Sequence, residues 1–233
     1  MGELAGRVAV VTGASRGIGR AIAASFARAG AAVAGCARGP RPDSFLDELD
    51  GEDRRRCVHR ACDVRSRDEV WRFRDAVETA LGPADIVVNN AGTVVRAPAL
   101  ELALEAWNEV LAANLTGTFL VTQAFLASMK GRRRGRIINL ASISGRVGTA
   151  MLSAYCAAKH GVVGLTRALA EELRDDGIAV NAICPGSVDT EMLAQGMPGT
   201  KPDMTSADVA RVALFLAAQA PLALTGACID VFG

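Results

Sequence analysis

A short β-branched run, Arg7–Thr12 (RVAVVT), passes directly into TGASRGIG at Thr12–Gly19, and Gly17–Ala29 then carries a helical spacing of apolar residues. Strand, glycine-rich turn and helix in immediate succession open a strand–helix–strand unit, which few architectures begin with. The alternation continues to the end of the chain. Ala32–Cys36, Cys57–Ala61, Asp85–Val88, Arg136–Leu140, Ile178–Ile183 and Cys228–Val231 read as further strands. Ser66–Leu81, Leu104–Met129, Ala154–Arg174 and Ala207–Ala218 read as helices, with Ser66 and Glu69 spaced as a capping box. Strands that are continuously apolar, rather than alternating, are buried on both faces. The expected fold is therefore α/β: a doubly wound sheet of seven parallel strands with helices on both faces and ligands at the carboxyl strand ends.

Nothing marks a second domain, and 233 residues suit one domain spanning 1–233. Half the residues are hydrophobic and 22% are charged, which supplies a large core and excludes general disorder. A net charge of +1 argues against a nucleic-acid or membrane partner recruited by the overall field. The arginine runs Arg54–Arg56 and Arg132–Arg134 are short, lie in connections and lack interleaved aromatics, so they read as solvated loop charge. Val110–Met129 and Val212–Ile229 carry no Lys, Arg or Glu, yet polar residues and Pro221 interrupt them. They read as helices or segments buried in a core or a subunit interface, and no membrane is expected. The six cysteines form no CxxC pair and the two histidines, His59 and His160, are isolated, so no metal is expected and the thiols read as reduced. The start MGELAGRVAVVTG lacks the pattern of a secretory leader, and Gly6 stands where a myristoylation site needs Ser or Thr. The expected compartment is the cytoplasm. Gly39–Arg56 and Gly186–Met204 read as the two long irregular segments.

Two local patterns carry chemistry. In the first, Gly13 lets the chain turn after the strand, and Gly17 and Gly19 let backbone approach a pyrophosphate. The helix that follows offers unpaired N–H groups and the positive end of its dipole to an anion. In the second, the chain's single tyrosine, Tyr155, stands four residues before Lys159, one of only three lysines. On a helix both share one face, where an ammonium is expected to lower the phenol pKa toward a working acid–base catalyst for a carbonyl.

The spacing G-x-x-x-G-x-G, the Tyr155/Lys159 pair and NNAG at Asn89–Gly92 together resemble the short-chain dehydrogenases/reductases, from Arg7 to about Val231. The resemblance implies a Rossmann-type fold with a nicotinamide dinucleotide on Gly13, Ser15, Arg16, Gly17, Ile18 and Gly19. It places Asp63 and Val64 at the adenine edge, and Asn90, Ala91 and Gly92 near the ribose. Tyr155 and Lys159 reach the ribose hydroxyls, and Pro185, Gly186, Val188 and Thr190 hold the carboxamide. The position where NAD-using members carry an acid is Ala37, followed by Arg38. Arg16 and Arg38 could clamp a 2′-phosphate, which implies NADP, with NADPH favoured over NADH. Ser142 and Asn114 match the family's serine and asparagine. The implied reaction is hydride transfer to a ketone with Tyr155 donating the proton and Ser142 bonding the carbonyl. Lys159 would lower the Tyr155 pKa, and Asn114 would hold a water.

The phrase TGASRGIGRAIA is most similar to the 3-oxoacyl-(acyl-carrier-protein) reductase type of this family. In that type, arginines that dock acyl carrier protein fall near Arg133 and near the acidic Asp176, and the lid is longer than segment 191–206 here. The C-terminal VFG lacks that type's glycine pair and tail. The helices bearing Asn114 and Tyr155 pair subunits in the family, which implies a homodimer or homotetramer. Three functions follow as alternatives: NADPH-dependent reduction of a small-molecule ketone, 3-oxoacyl thioesters included; NADP-dependent alcohol, sugar or steroid dehydrogenation; or dinucleotide sensing without catalysis. The complete set Asn114, Ser142, Tyr155 and Lys159 speaks against the last.

Overall fold

The computed structural model describes residues 2–39 and 44–233, so part of the irregular stretch expected at 39–56 lies outside the described residues. Seven strands form one sheet: β1 (Val8–Thr12), β2 (Ala32–Ala37), β3 (Val58–Ala61), β4 (Ile86–Asn89), β5 (Gly135–Leu140), β6 (Ile178–Pro185) and β7 (Cys228–Val231). Their order is β3-β2-β1-β4-β5-β6-β7 and every pairing is parallel. This is the expected Rossmann-type α/β sheet. Because the strand order reverses between β1 and β4, a crevice opens at their carboxyl ends.

The continuous apolar runs are explained by a core on each side of the sheet. Val11, Val88, Ile138 and Ile183 pack with α1 (Gly17–Arg28) and α8 (Ser206–Ala218). Their chain neighbours Val10, Val87 and Ile137, with Val180 of β6, face α3 (Arg67–Leu81), α5 (Gly117–Arg132) and α6 (Ser153–Glu172). Successive residues of one strand thus enter opposite cores, as a strand's two-residue period requires. A buried polar ladder crosses the second face. Asn89 Nδ2 donates to Thr122 Oγ1 and to Asn139 Oδ1, each at 2.9 Å, and Asn139 Nδ2 donates to Thr166 Oγ1 at 2.9 Å. It ties β4 and β5 to α5 and α6.

Three expectations need correction. The helix expected at Leu104–Met129 runs from α4 (Leu104–Leu111) to α5 but widens into a π-bulge at Ala112–Thr116. Its 29 residues hold an apolar stretch of mean hydropathy 1.5, enough by length and composition to cross a bilayer, yet half of that stretch is buried in the fold. The capping box at Ser66 is half formed. Ser66 Oγ accepts from Glu69 N, but Ser66 N already bonds Asp63 O, and the Glu69 carboxylate accepts from Asp63 N instead. The two irregular segments hold short elements: a 3₁₀ turn at Phe45–Glu48, α2 (Gly51–Arg55) and α7 (Glu191–Gly196). Helices this short show no periodicity and rely on caps, as where Thr190 Oγ1 accepts from Leu193 N at 3.2 Å. A bridge from Val188 to Met204 closes the base of the segment carrying α7.

Candidate active site

The turn from β1 into α1 is built for close approach. A Cβ on Gly19 would stand 2.3 Å from Gly13 O, and Gly17 has φ +54, so side chains are excluded from both positions. Asn90 straps this turn, its Nδ2 donating to Thr12 O at 2.9 Å and Gly13 O at 3.2 Å. Thr12 Oγ1 accepts from the amides of Asn90 and Ala91, both at 3.0 Å. At the head of α1 the N-cap residue Arg16 makes no side-chain cap bond. The first-turn amides are therefore left to an anion, as a dinucleotide pyrophosphate requires.

These amides border a cavity of about 540 Å³ at the sheet's switch point. Gly13, Ser15, Arg16, Gly17 and Ile18 form one wall, Arg38, Asp63 and Val64 the far end, and Asn90, Ala91 and Gly92 the floor. Tyr155, Lys159, Pro185 and Thr190 close the other end. Shape, glycine turn and uncapped helix head fit a nicotinamide dinucleotide. Gly19 lies behind the turn. Gly186 and Val188 border a second, smaller cavity of about 160 Å³, as does Ser142. Asn114 borders neither. It sits in the π-bulge with Nδ2 donating to Thr93 O and Val110 O, at 2.8 and 2.9 Å, and its Oδ1 is buried without a hydrogen-bond partner. A Cβ on Gly92 would come within 2.4 Å of that oxygen, so the asparagine backs the cavity floor.

Charge is concentrated at the end of the cavity lined by Arg38, Asp63 and Arg65. Arg38 Nη1 and Arg65 Nη1 stand 3.5 and 3.4 Å from the same oxygen of Glu109. Arg65 also pairs with Asp63 at 2.5 Å, and this hydrogen bond holds the Asp63 carboxyl below its ordinary range. Arg16 pairs with Glu191 at the head of α7, joining the glycine turn to the covering segment. Sequence reasoning missed Arg65 and Glu191, although a cation two residues after Asp63 was a visible signal.

Tyr155 stands where the two cavities meet, lining both together with Ile18, Ala141, Pro185, Thr190 and Met192. Its hydroxyl lies 3.9 Å from Met192 Sδ of α7. No apolar pattern in the sequence pointed to Met192. Ser142 Oγ accepts from Ser144 N at 3.1 Å, which fixes the serine at the end of β5. Lys159 is 4% exposed, donates to Leu140 O at 2.7 Å and lies 5.5 Å from the Tyr155 ring centre. Burial pushes the Tyr155 phenol up to about 12, while its hydrogen bond with Ser142 pulls the other way. Burial also brings Lys159 down to about 8. The upward shift of Tyr155 comes from burial, and Lys159 is not among its causes. The lysine's hydrogen bond goes to a main-chain carbonyl, and crowding favours the neutral form of both groups.

With this geometry established, comparison with known proteins is informative. A family model described as short chain dehydrogenase matches residues 7–200. A ketoacyl reductase candidate of Streptomyces coelicolor is 46% identical over 190 residues, covering 80% of this chain and 72% of the relative. The 3-oxoacyl-(acyl-carrier-protein) reductase of Vibrio cholerae is 34% identical over 243 residues, covering 99% of this chain and 98% of its own. A crystal structure of a gluconate dehydrogenase candidate from Agrobacterium tumefaciens superposes with a TM-score of 0.89 at 33% identity, covering 99% and 96% of the two chains.

Proposed function

This chain belongs to the short-chain dehydrogenase family, and we propose that it reduces a ketone, 3-oxoacyl thioesters among the candidates, to a secondary alcohol with NADPH. One observation carries the reading: Tyr155 lines both a dinucleotide-sized cavity and a small second cavity at the place where they meet. That is where a proton donor must stand if cofactor and carbonyl meet across it. When bound, the dinucleotide supplies the hydride. Tyr155, whose proton is held up to about 12, donates it to the developing alkoxide. Ser142, fixed by the Ser144 amide, orients the carbonyl oxygen. Lys159, still largely protonated at neutral pH with a pKa of about 8, stabilises the phenolate left behind. Asn114 keeps the floor at Gly92 in place.

NADPH over NADH is supported by Arg38 and Arg65 at the adenosine end and by Ala37 where an acid would repel a 2′-phosphate. Arg16 reaches the same ligand only in competition with Glu191. Dehydrogenation of an alcohol or sugar, the activity printed for the structural relative, is the second reading. It would use the same side chains in reverse, with Tyr155 as the base that takes the alcohol proton. Carrier-protein docking finds less support, because Asp176 pairs with Lys130 at 2.8 Å and the Arg133 guanidinium bonds Asp175 O. A single-domain homodimer or homotetramer in the cytoplasm completes the proposal, with exposed Phe119 and Phe215 as apolar surface for subunit contact.

The test follows NADPH absorbance across 3-oxoacyl esters, simple ketones and quinones, with NADH in parallel and alcohols plus NADP in reverse. Reduction with NADPH is expected. NADP-driven oxidation alone supports the second reading, and dinucleotide binding with no turnover in either direction makes the chain a sensor.

A further inference from the structure

On the substrate side of Tyr155, a second pair of hydroxyls lies beyond Ser142. Ser144 Oγ and Thr149 Oγ1 are 3.0 Å apart, and both residues line the cavity of about 160 Å³. Each hydroxyl carries one proton and two lone pairs. Their mutual bond uses one proton, so the pair keeps one O–H for a third atom. Ser144 is 3% exposed and its hydroxyl is already partnered by Thr149, so a ligand would take the one O–H that the pair keeps. The pair is held by main chain on both sides. Ser144 N donates to Ser142 Oγ at 3.1 Å, and Thr149 N donates to the sulfur of Cys156 at 3.3 Å, the residue after Tyr155 on α6. Ser142, Ser144, Thr149 and Tyr155 thus form one connected frame. Ser187 and Thr190 add two further hydroxyls to the lining, and Val94, Leu152, Leu193 and Met197 make most of the rest apolar. Among the described residues that line it, none bears a full charge, so a carboxylate entering would lose its hydration without a counter-charge.

We propose that the Ser144–Thr149 pair binds a second oxygen of the substrate, adjacent to the carbonyl that is reduced. The substrate class is then a compact, uncharged ketone with a second oxygen close by, such as a 3-oxo ester, a 3-oxo thioester or a hydroxyketone. Simple ketones and oxo acids are disfavoured. This inference rests on the proposed reduction at Tyr155 and names what that site selects.

The experiment measures kcat/KM with NADPH for ethyl acetoacetate, 2-heptanone of the same chain length, and the acetoacetate anion. Wild type is expected to favour the 3-oxo ester over both others, by about tenfold against the simple ketone. Thr149→Val removes one hydroxyl at constant volume and is expected to shrink the ester-to-ketone ratio about fivefold, while Thr149→Ser, which keeps the hydroxyl, restores it. Ser144→Ala, which leaves the Ser144 amide on Ser142, gives the same shrinkage and serves if the Thr149 variants fail to bind NADPH. An unchanged ratio in Thr149→Val and Ser144→Ala, or a preference for acetoacetate, overturns the inference while leaving ketone reduction standing. No NADPH consumption with any of the three substrates overturns the reduction itself, and the inference with it.

Discussion

The Lys159 ammonium lies 5.5 Å from the centre of the Tyr155 ring, while its hydrogen bond goes to Leu140 O at 2.7 Å. The lysine is thus close enough to stabilise a phenolate once formed, but does not itself hold the phenol oxygen. A neutral phenol beside a cation can hand over its proton and have the resulting phenolate stabilised.

Titration of the phenol tests this directly, because Tyr155 is the only tyrosine in the chain. Ultraviolet difference spectra of the folded protein are expected to show no phenolate through the ordinary range near 10, with absorbance rising only toward about 12. The sign for stability follows from a folded pKa that is raised. The contribution of Tyr155 is present below the ordinary value and is lost as pH climbs through about 12, because the unfolded chain sheds the proton first. Tyr155→Phe is expected to abolish the signal and to lower kcat by about a hundredfold to ten-thousandfold, with NADPH binding near wild type. A phenolate appearing near neutral pH in the folded protein would contradict the assignment.

Lys159 shifts the other way. With only Lys130, Lys159 and Lys201 in the chain, carbon-13 labelling of lysine gives three resolvable side-chain signals. One is expected to titrate at about 8, against an ordinary 10.5, and to vanish in Lys159→Met. Lys130, bonded to Asp176, is expected to titrate above the ordinary value. Between about 8 and 10.5 the unfolded chain binds the proton that folded Lys159 has released, so stability from this group rises with pH in that window. The melting temperature of wild type relative to Lys159→Met should climb across the same interval. A flat difference would mean that Lys159 keeps its charge.

Cofactor choice is open to measurement without turnover. NADPH is expected to bind at least about tenfold tighter than NADH, since a guanidinium–phosphate pair is charge-assisted and no acid stands at Ala37. Arg38→Asp should erase or invert the difference, through lost attraction and new repulsion. Fluorescence titration of both dinucleotides is the measurement. Equal affinities in wild type, or a preference that survives Arg38→Asp, would set the NADP reading aside.

Five strands were legible as short apolar runs in the core, whereas β3 (VHRA) and β7 are only partly buried and were placed by their position in the alternation of strands and helices. Tyr155 and Lys159 were legible for a local reason, since helical spacing alone puts them on one face. What escaped depends on distant contacts. The π-bulge around Asn114 ends at Gly117, where a Cβ would lie 2.7 Å from Val64, so it reflects how closely the helix meets the loop after β3. Met192 over the phenol and Glu191 on Arg16 lie on a six-residue helix, too short to carry a period. Burial, which dominates the Tyr155 shift here, could not be read from the sequence, because spacing reports proximity and says nothing of desolvation. Here the partner carbonyl, Leu140 O, comes from another element altogether.

The polar ladder beneath the site offers a last expectation, on stability. Thr166 Oγ1 accepts from Asn139 Nδ2 at 2.9 Å and donates to Val162 O at 2.8 Å, with Asn139 and Thr166 both wholly buried. Thr166→Val keeps the shape but leaves one Asn139 N–H without an acceptor in a place water does not reach. A lone polar group of this kind costs about 1–3 kcal/mol, so urea unfolding should show a loss of that order. Thr166→Ser keeps the hydroxyl and should cost less, its deficit being one buried methyl. If the two variants are equally stable, the ladder contributes through packing rather than hydrogen bonding. Because Leu140, which follows Asn139 on β5, supplies the carbonyl that holds Lys159, the valine variant should also disturb the Lys159 titration. The serine variant should leave it in place.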